Sequence, residues 1–200
     1  MTRYSFSTMV IFQLAVMPLF VEALGAERIN ERIVQFCRDK IGESIGRGEC
    51  TDLANAALES ARATSHFRWK DSPGEGDYVW GSLVLVATGG MSGATFSDDL
   101  AKVQGGDIIQ FRDVRFEGKN SNGKGTYWLN SQHHTAIVVS VNQPSRELTI
   151  YHQNWGGVKT VARKTLKLGD MRLGWLRFYR PQPDSSRSPE RSNASSGKTP

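Results

Sequence analysis

Cysteine is scarce in this chain of 200 residues: Cys37 and Cys50 are the only two, so at most one disulfide can form. Histidine is nearly as rare, with His66, His133, His134 and His152. None of them falls in the H-E-x-x-H pattern, and no paired C-x-x-C occurs, which argues against a zinc site. A G-x-S-x-G element between a strand and a helix is missing, so serine catalysis has no support. No internal repeat occurs. The formal net charge is +5, yet no Lys/Arg-rich helix or aromatic ladder accompanies it, which argues against a nucleic-acid partner. The basic excess reads as a solvated surface suited to an anionic envelope or polymer.

The longest apolar stretch, Met9 to Val21, is shorter than the roughly 20 residues needed to span a bilayer and contains Pro18. Arg3 precedes it and Ala23-Leu24-Gly25 follows it. This is the pattern of a secretory signal peptide over residues 1–25, and it predicts a secreted or periplasmic protein. An uncleaved segment would be the only link to a membrane. Residues 26–180 then form one domain, and residues 181–200, rich in Pro and Ser without apolar periodicity, form a disordered tail.

Within the domain, apolar residues fall on one face of two helices, over residues 28–41 and 50–63. From Gly74 the pattern changes to short β-branched and aromatic runs at 78–87, 107–111, 135–141, 148–151 and 173–179. Helices followed by strands give an α+β fold, with N-terminal helices packed on an antiparallel β-sheet. The polar segment 115–130 reads as an exposed loop.

Cys50 is the first candidate for chemistry. Gly46 and Gly48 allow a sharp backbone turn, and the helix that follows points its free N–H groups and positive dipole end at the sulfur. Glu49 and Asp52 act in the opposite sense, since negative charge disfavours the thiolate. Cys37 lies on the apolar stripe of the first helix and reads as a buried thiol, which argues against a Cys37–Cys50 disulfide. A base must come from the histidines. His66 reads as a polar helix-end residue. His133 and His134 begin a strand, where neighbours point to opposite faces, so at most one can meet Cys50. If the hairpin after that strand closes with Val141 opposite Glu147, then Val138 faces Ile150, Ala136 faces His152 and His134 faces Asn154. Cys50, His134 and Asn154 would then supply nucleophile, base and orienting residue. A structural reading stays open beside this one, with His134 as a strand-end polar residue and Asn154 as a turn residue before Trp155-Gly156-Gly157.

The ordered set Gly48-Glu49-Cys50-Thr51, Gly106-Asp107-Ile108-Ile109-Gln110-Phe111, His134-Thr135-Ala136-Ile137-Val138 and Gln153-Asn154-Trp155-Gly156 resembles the CHAP family, cysteine- and histidine-dependent amidohydrolase/peptidases, and the related NlpC-type cell-wall peptidases. The resemblance implies a papain-like cysteine hydrolase without a cofactor. Its substrate would be peptidoglycan or another peptide-containing polymer, cleaved at an amide bond through a thioester. The chain departs from the family at Glu49, where a neutral residue is more usual, and at His152, where many members carry an acid. Two other readings stay open: a non-catalytic exported binding domain on the same fold, and a protein-directed cysteine protease or transferase.

Overall fold

Ile29, Ile33 and Cys37 recur every fourth residue and are all buried, which fixes the inward stripe of helix α1 (Met17–Asp39). A computed structural model describes residues 17–64, 77–120, 126–184 and 186, with the side chains of α1 from Arg28 onward. The first 16 residues of the expected leader, His66 and, of the expected tail, residue 185 and residues 187–200 lie outside the described residues. The helix runs unbroken from Met17 through position 25. Among the described residues no helix is long and apolar enough to cross a membrane.

Helix α2 (Cys50–Ser60) buries Leu53, Ala54, Ala57 and Leu58. The two fully buried leucines each contribute about 1.5–3 kcal/mol relative to exposure, and the alanines let the helix approach its neighbours closely. Its start is fixed by Asp52, whose carboxylate accepts from the backbone N–H groups of Arg47 (2.8 Å) and Glu49 (3.3 Å). Gly46 has φ +60°, and a Cβ there would lie 2.9 Å from Asp52, so the turn before the helix leaves no room for a side chain.

Seven strands follow: β1 (Ser82–Thr88), β2 (Thr95–Phe96), β3 (Ile108–Lys119), β4 (Thr126–Asn142), β5 (Glu147–His152), β6 (Ala162–Lys167) and β7 (Met171–Arg180). They form one sheet in the order β2-β1-β7-β3-β4-β5-β6, and every pairing is antiparallel. This is the expected α+β papain-like arrangement of helices on an antiparallel sheet. The helices cover one face, where Leu53 and Leu58 share a core with Ile108, Ile137, Tyr151 and Tyr179. The opposite face buries Phe111, Ala136, Val138, Ile150 and Phe178 under Leu100, Val103 and Leu168.

Three sequence expectations change. The segment 115–130 is not mainly loop: Arg115 pairs with Asn130 and the ladder continues to Lys119 opposite Thr126. Phe116 is buried there and Leu129 packs against the same core, whereas the polar residues that suggested a loop are concentrated toward the hairpin end. The β4–β5 hairpin places Val138 opposite Ile150 and Ala136 opposite His152 as expected, but at the turn Asn142 faces Glu147 and Val141 faces Leu148. An irregularity between Val138 and Ser140 absorbs the one-residue difference. Order also extends beyond residue 180. Thr64 N–H donates to the Gln182 carbonyl (2.8 Å), Asp184 N–H donates to the Arg62 carbonyl (3.1 Å), and Ala63 forms a bridge with Pro183.

Asp107 ties these layers together. Fully buried, it accepts from Arg180 Nε (2.7 Å) and Nη2 (2.9 Å), from the Gln104 N–H (2.9 Å) and from Asn30 Nδ2 (3.1 Å). Gly106 beside it has φ +87°, and a Cβ there would meet the Asn30 backbone at 2.5 Å. Gln110 Oε1, also buried, accepts from Trp80 Nε1 (3.2 Å) and Thr135 Oγ1 (3.1 Å). The Gly-Asp-Ile-Ile-Gln-Phe run is therefore an architectural element that joins α1, β3, β4 and β7.

Candidate active site at the start of helix α2

Cys50 is the first residue of α2 and is half-buried; its thiol and that of Cys37 are both free. The thiol is hydrogen-bonded to both the backbone and the side chain of Thr135, on β4, and to the backbone of Thr51. Burial pushes its pKa up, those hydrogen bonds pull it down, and the Glu49 charge raises it again, for a net upward shift. Cys37 lies fully buried in the helix core, where desolvation pushes its thiol up to about 12. Of the two, only Cys50 is placed for reaction.

The contact with Thr135 brings Cys50 to the strand step that carries both adjacent histidines. Alternation divides them. His133 shares a face with Thr135 and Ile137, the face packed by α2, and its ring lies 5.1 Å from that of Tyr78, whose hydroxyl is pushed up by burial and, after it, by Cys50. His133 Nε2 is 3.9 Å from the buried carboxylate of Asp77, which Arg112 also holds at 2.6 Å. His134, the expected base, instead points to the side of the sheet away from Cys50, because strand alternation gives the α2 face to its neighbours; it enters an aromatic nest whose ring centroids lie 4.7 Å (Trp155), 5.5 Å (Phe111) and 5.7 Å (His152) away. It is buried, and desolvation, followed by His152, His133 and Lys164, pushes its pKa down to about 3. His152 is pushed down to about 4 by burial and Lys164.

The expected hydrogen bond between Asn154 and His134 does not form. The β4–β5 ladder stops at Ala136 and His152, and Asn154 turns away with φ +60°. Its side-chain amide donates instead to Glu49 Oε2 at 2.7 Å, beside Lys159 Nζ at 3.1 Å from Glu49 Oε1. Lys159 and Asn154 together hold the Glu49 carboxyl below its ordinary pKa.

Gln153 is the residue that sequence reasoning left without a role. Fully buried, it donates through Nε2 to the carbonyls of Ile45 (3.0 Å) and Glu49 (2.8 Å), and its Oε1 accepts from the Ile45 N–H (2.8 Å). It clamps the turn that presents Cys50. Its place in the Gln153-Asn154-Trp155-Gly156 run gave no sign of a partner; only the returning 45–49 turn shows what it binds. Away from this site, a cleft of about 460 Å³ between α1 and the turn at Gln104–Gly105 contains none of Cys50, His134 or Asn154. Among the described residues no group of three or more potential ligands is arranged to hold a metal ion.

Three comparisons bear on this arrangement. The chain is 26% identical over 159 residues to "Altered inheritance of mitochondria protein 3" of Debaryomyces hansenii, an alignment covering 78% of this chain and 16% of that protein. It therefore spans about one sixth of that relative's length. A solved structure described as "The crystal structure of Ly7917" superposes with a TM-score of 0.43 at 20% identity, over 76% of this chain and 62% of the other, too distant a likeness to argue from. The expected CHAP or NlpC membership gives way to a different family of the same broad fold, because the motifs behind that expectation include residues such as Gly106 and Asp107 that serve the architecture. Residues 23–190 match the AIM3/BBC1 cysteine proteinase-fold domain, and the chain belongs to that family.

Proposed function

We propose that the domain is a cysteine hydrolase in which Cys50 attacks the carbonyl of an amide bond and His133, in place of the expected His134, takes the thiol proton. The observation that carries this reading is the position of Cys50 in the first turn of α2, hydrogen-bonded to Thr135, whose side chain lies on the same face of β4 as His133. The N–H groups of that first turn supply donors for an oxyanion. Attack forms a tetrahedral oxyanion; its collapse breaks the C–N bond, the amine leaves with the proton held by the imidazole, and water resolves the thioester. No cofactor enters this scheme.

Peptidoglycan, or another peptide-containing polymer, is the substrate we propose, reached by export through a leader at residues 1–25. The test incubates folded protein with isolated peptidoglycan and, in parallel, with a denatured protein substrate, comparing wild type with Cys50→Ala, His134→Ala and His133→Ala. Release of fragments by wild type and His134→Ala, and by neither of the other two, supports the scheme. Loss with His134→Ala and retention with His133→Ala would return the base to the histidine on the face opposite α2. N-terminal sequencing of protein from its own host tests export.

Two observations favour a non-catalytic binding role on the same fold: the Cys50 thiol is pushed up, and Asn154 is held by Glu49 rather than by an imidazole. Equal polymer binding by wild type and Cys50→Ala, with no release by either, would establish that alternative.

A further inference from the structure

Among the described residues the buried acids are Asp77 and Asp107, and only Asp107 has been accounted for, as the tie between the layers. Asp77 lies in the segment that leads into β1 and is 4% exposed. Its Oδ1 accepts from Arg112 Nε (2.8 Å) and lies 2.6 Å from Arg112 Nη2, so a paired cation offsets the cost of burying the carboxylate. The same oxygen stands 3.9 Å from His133 Nε2. At that distance the contact is not a hydrogen bond, but it becomes an ion pair once the ring is protonated.

The strand register explains why the three groups meet. Arg112 and His133 are directly opposed on β3 and β4, so their side chains share a face of the sheet. A guanidinium beside an imidazole opposes its protonation, and the Asp77 carboxylate neutralises that charge where the two strands meet. Tyr78, the next residue, sets its ring 5.1 Å from that of His133 and 5.5 Å from that of Trp80. The segment 77–80 therefore holds His133 by charge and by ring contact. Cys50 belongs to the same cluster, since its charge adds to the burial that pushes the Tyr78 hydroxyl up. From β7, Tyr179 is pushed up by burial, pulled back by Arg177 and raised again by Asp77. The charged and titratable groups around the imidazole are thus Asp77 and Tyr78, Arg112 of β3, Cys50 of α2, and Arg177 and Tyr179 of β7, while His134 turns to the other face of β4.

We infer that Asp77 is the positioning residue for His133: its carboxylate, fixed by Arg112, orients Nε2 toward itself, leaves Nδ1 to take the thiol proton, and compensates the imidazolium that results. In that step the S–H bond of Cys50 breaks and an N–H bond forms at Nδ1, giving a thiolate and an imidazolium. The inference rests on His133 as the base of the proposed hydrolase. It fills the orienting place expected for Asn154, whose amide is committed to Glu49, from a segment that precedes the sheet rather than from the strand after the histidine.

The test follows His133 through a pH titration by side-chain NMR of the folded full chain, which needs no substrate. Neutral His133 in wild type is expected as the Nε2–H tautomer. Asp77→Asn keeps the shape and removes the charge, so His133 should titrate about 1–3 pH units lower than in wild type. Arg112→Gln should move it in the opposite direction, and the double variant should fall between wild type and Asp77→Asn. If Asp77→Asn does not fold, comparing Arg112→Gln with the double variant reads the same carboxylate. A purely structural role for Asp77 would leave His133 titrating alike with and without the charge, and that result, or an Nδ1–H tautomer in wild type, would overturn the inference. The expected order of titrations in a protein that cleaves neither peptidoglycan nor denatured protein would refute the enzyme reading alone.

Discussion

Gln153→Ala should destabilise the domain and loosen the turn in front of Cys50. The side chain makes three hydrogen bonds of 2.8–3.0 Å to Ile45 and Glu49, and alanine leaves all three backbone groups without it. At a net 0.5–1.5 kcal/mol each, the bonds sum to roughly 1.5–4.5 kcal/mol. The turn is only partly buried, so water can reach some of the freed groups, which places the expected loss in the lower half of that range, about 2–3 kcal/mol. For a chain of this size that corresponds to a fall in Tm of roughly 4–12 °C. Gln153→Glu is the sharper control. A carboxylate can still accept from the Ile45 N–H, but it cannot donate to either carbonyl, so it should be no better than alanine. Urea unfolding gives the free energy, and alkylation under native conditions reads the site, where Cys50 should react faster as the first turn of α2 frays. If both variants stay within about 0.5 kcal/mol of wild type and alkylate at its rate, Gln153 is not the clamp described here.

Other consequences follow from the same geometry. In native wild-type protein Cys50 should alkylate well before Cys37, whose thiol is fully buried and pushed up to about 12; mass mapping after timed quenching would show the order, and equal rates would contradict the packing of α1. Asp107→Ala should cost about 3–5 kcal/mol in urea unfolding, because it leaves the Arg180 guanidinium and Asn30 without their buried partner. A chain ending after Asp184 should keep wild-type stability, whereas one ending after Arg180 loses the bonds of Gln182, Pro183 and Asp184 to residues 62–64 and should drop by roughly 1–3 kcal/mol. Acid should destabilise the domain. His134 and His152 titrate near 3 and 4 when folded, against about 6.5 when unfolded, so the unfolded chain binds more protons between those values. Their contribution is fully present above pH 6.5 and is lost as pH falls toward 4 for His152 and toward 3 for His134; the urea midpoint should drop from pH 7 to pH 5, and less so in a His134→Gln, His152→Gln double variant.

How much of this was legible in the sequence depends on how local each signal is. The stripes Ile29-Ile33-Cys37 and Leu53-Ala54-Ala57-Leu58 identify two helices and their buried faces, because a helix writes its packing into spacings of three and four. Pairings such as Val138 with Ile150 follow from alternation and a short hairpin, and the two-residue period survives the irregularity near Val139. Strand β6 was missed because Ala-Arg-Lys-Thr-Leu-Lys is mostly polar; as an edge strand it needs few apolar residues, and its lysines suit that position. The site was harder to read. Cys50 could be placed at a helix mouth, but the partner of Asn154 could not, since Glu49 is 105 residues away in sequence and reaches it only through the fold. Alternation also shows that two adjacent histidines diverge without showing which face receives α2, and here that face belongs to Thr135 and Ile137.

Glu49 links these observations. Its carbonyl is held by Gln153, and its carboxylate by Asn154 and Lys159, so one residue before the cysteine joins α2 to the end of β5 and to the 154–159 turn. Burial does most to raise the Cys50 pKa, and the same carboxylate adds to it against the hydrogen bonds from Thr135 and Thr51. Lys159 offsets part of that charge, and because both side chains of the pair are substantially exposed, the offset weakens as salt increases. The structural clamp and the electrostatics of the thiol therefore depend on the same contacts.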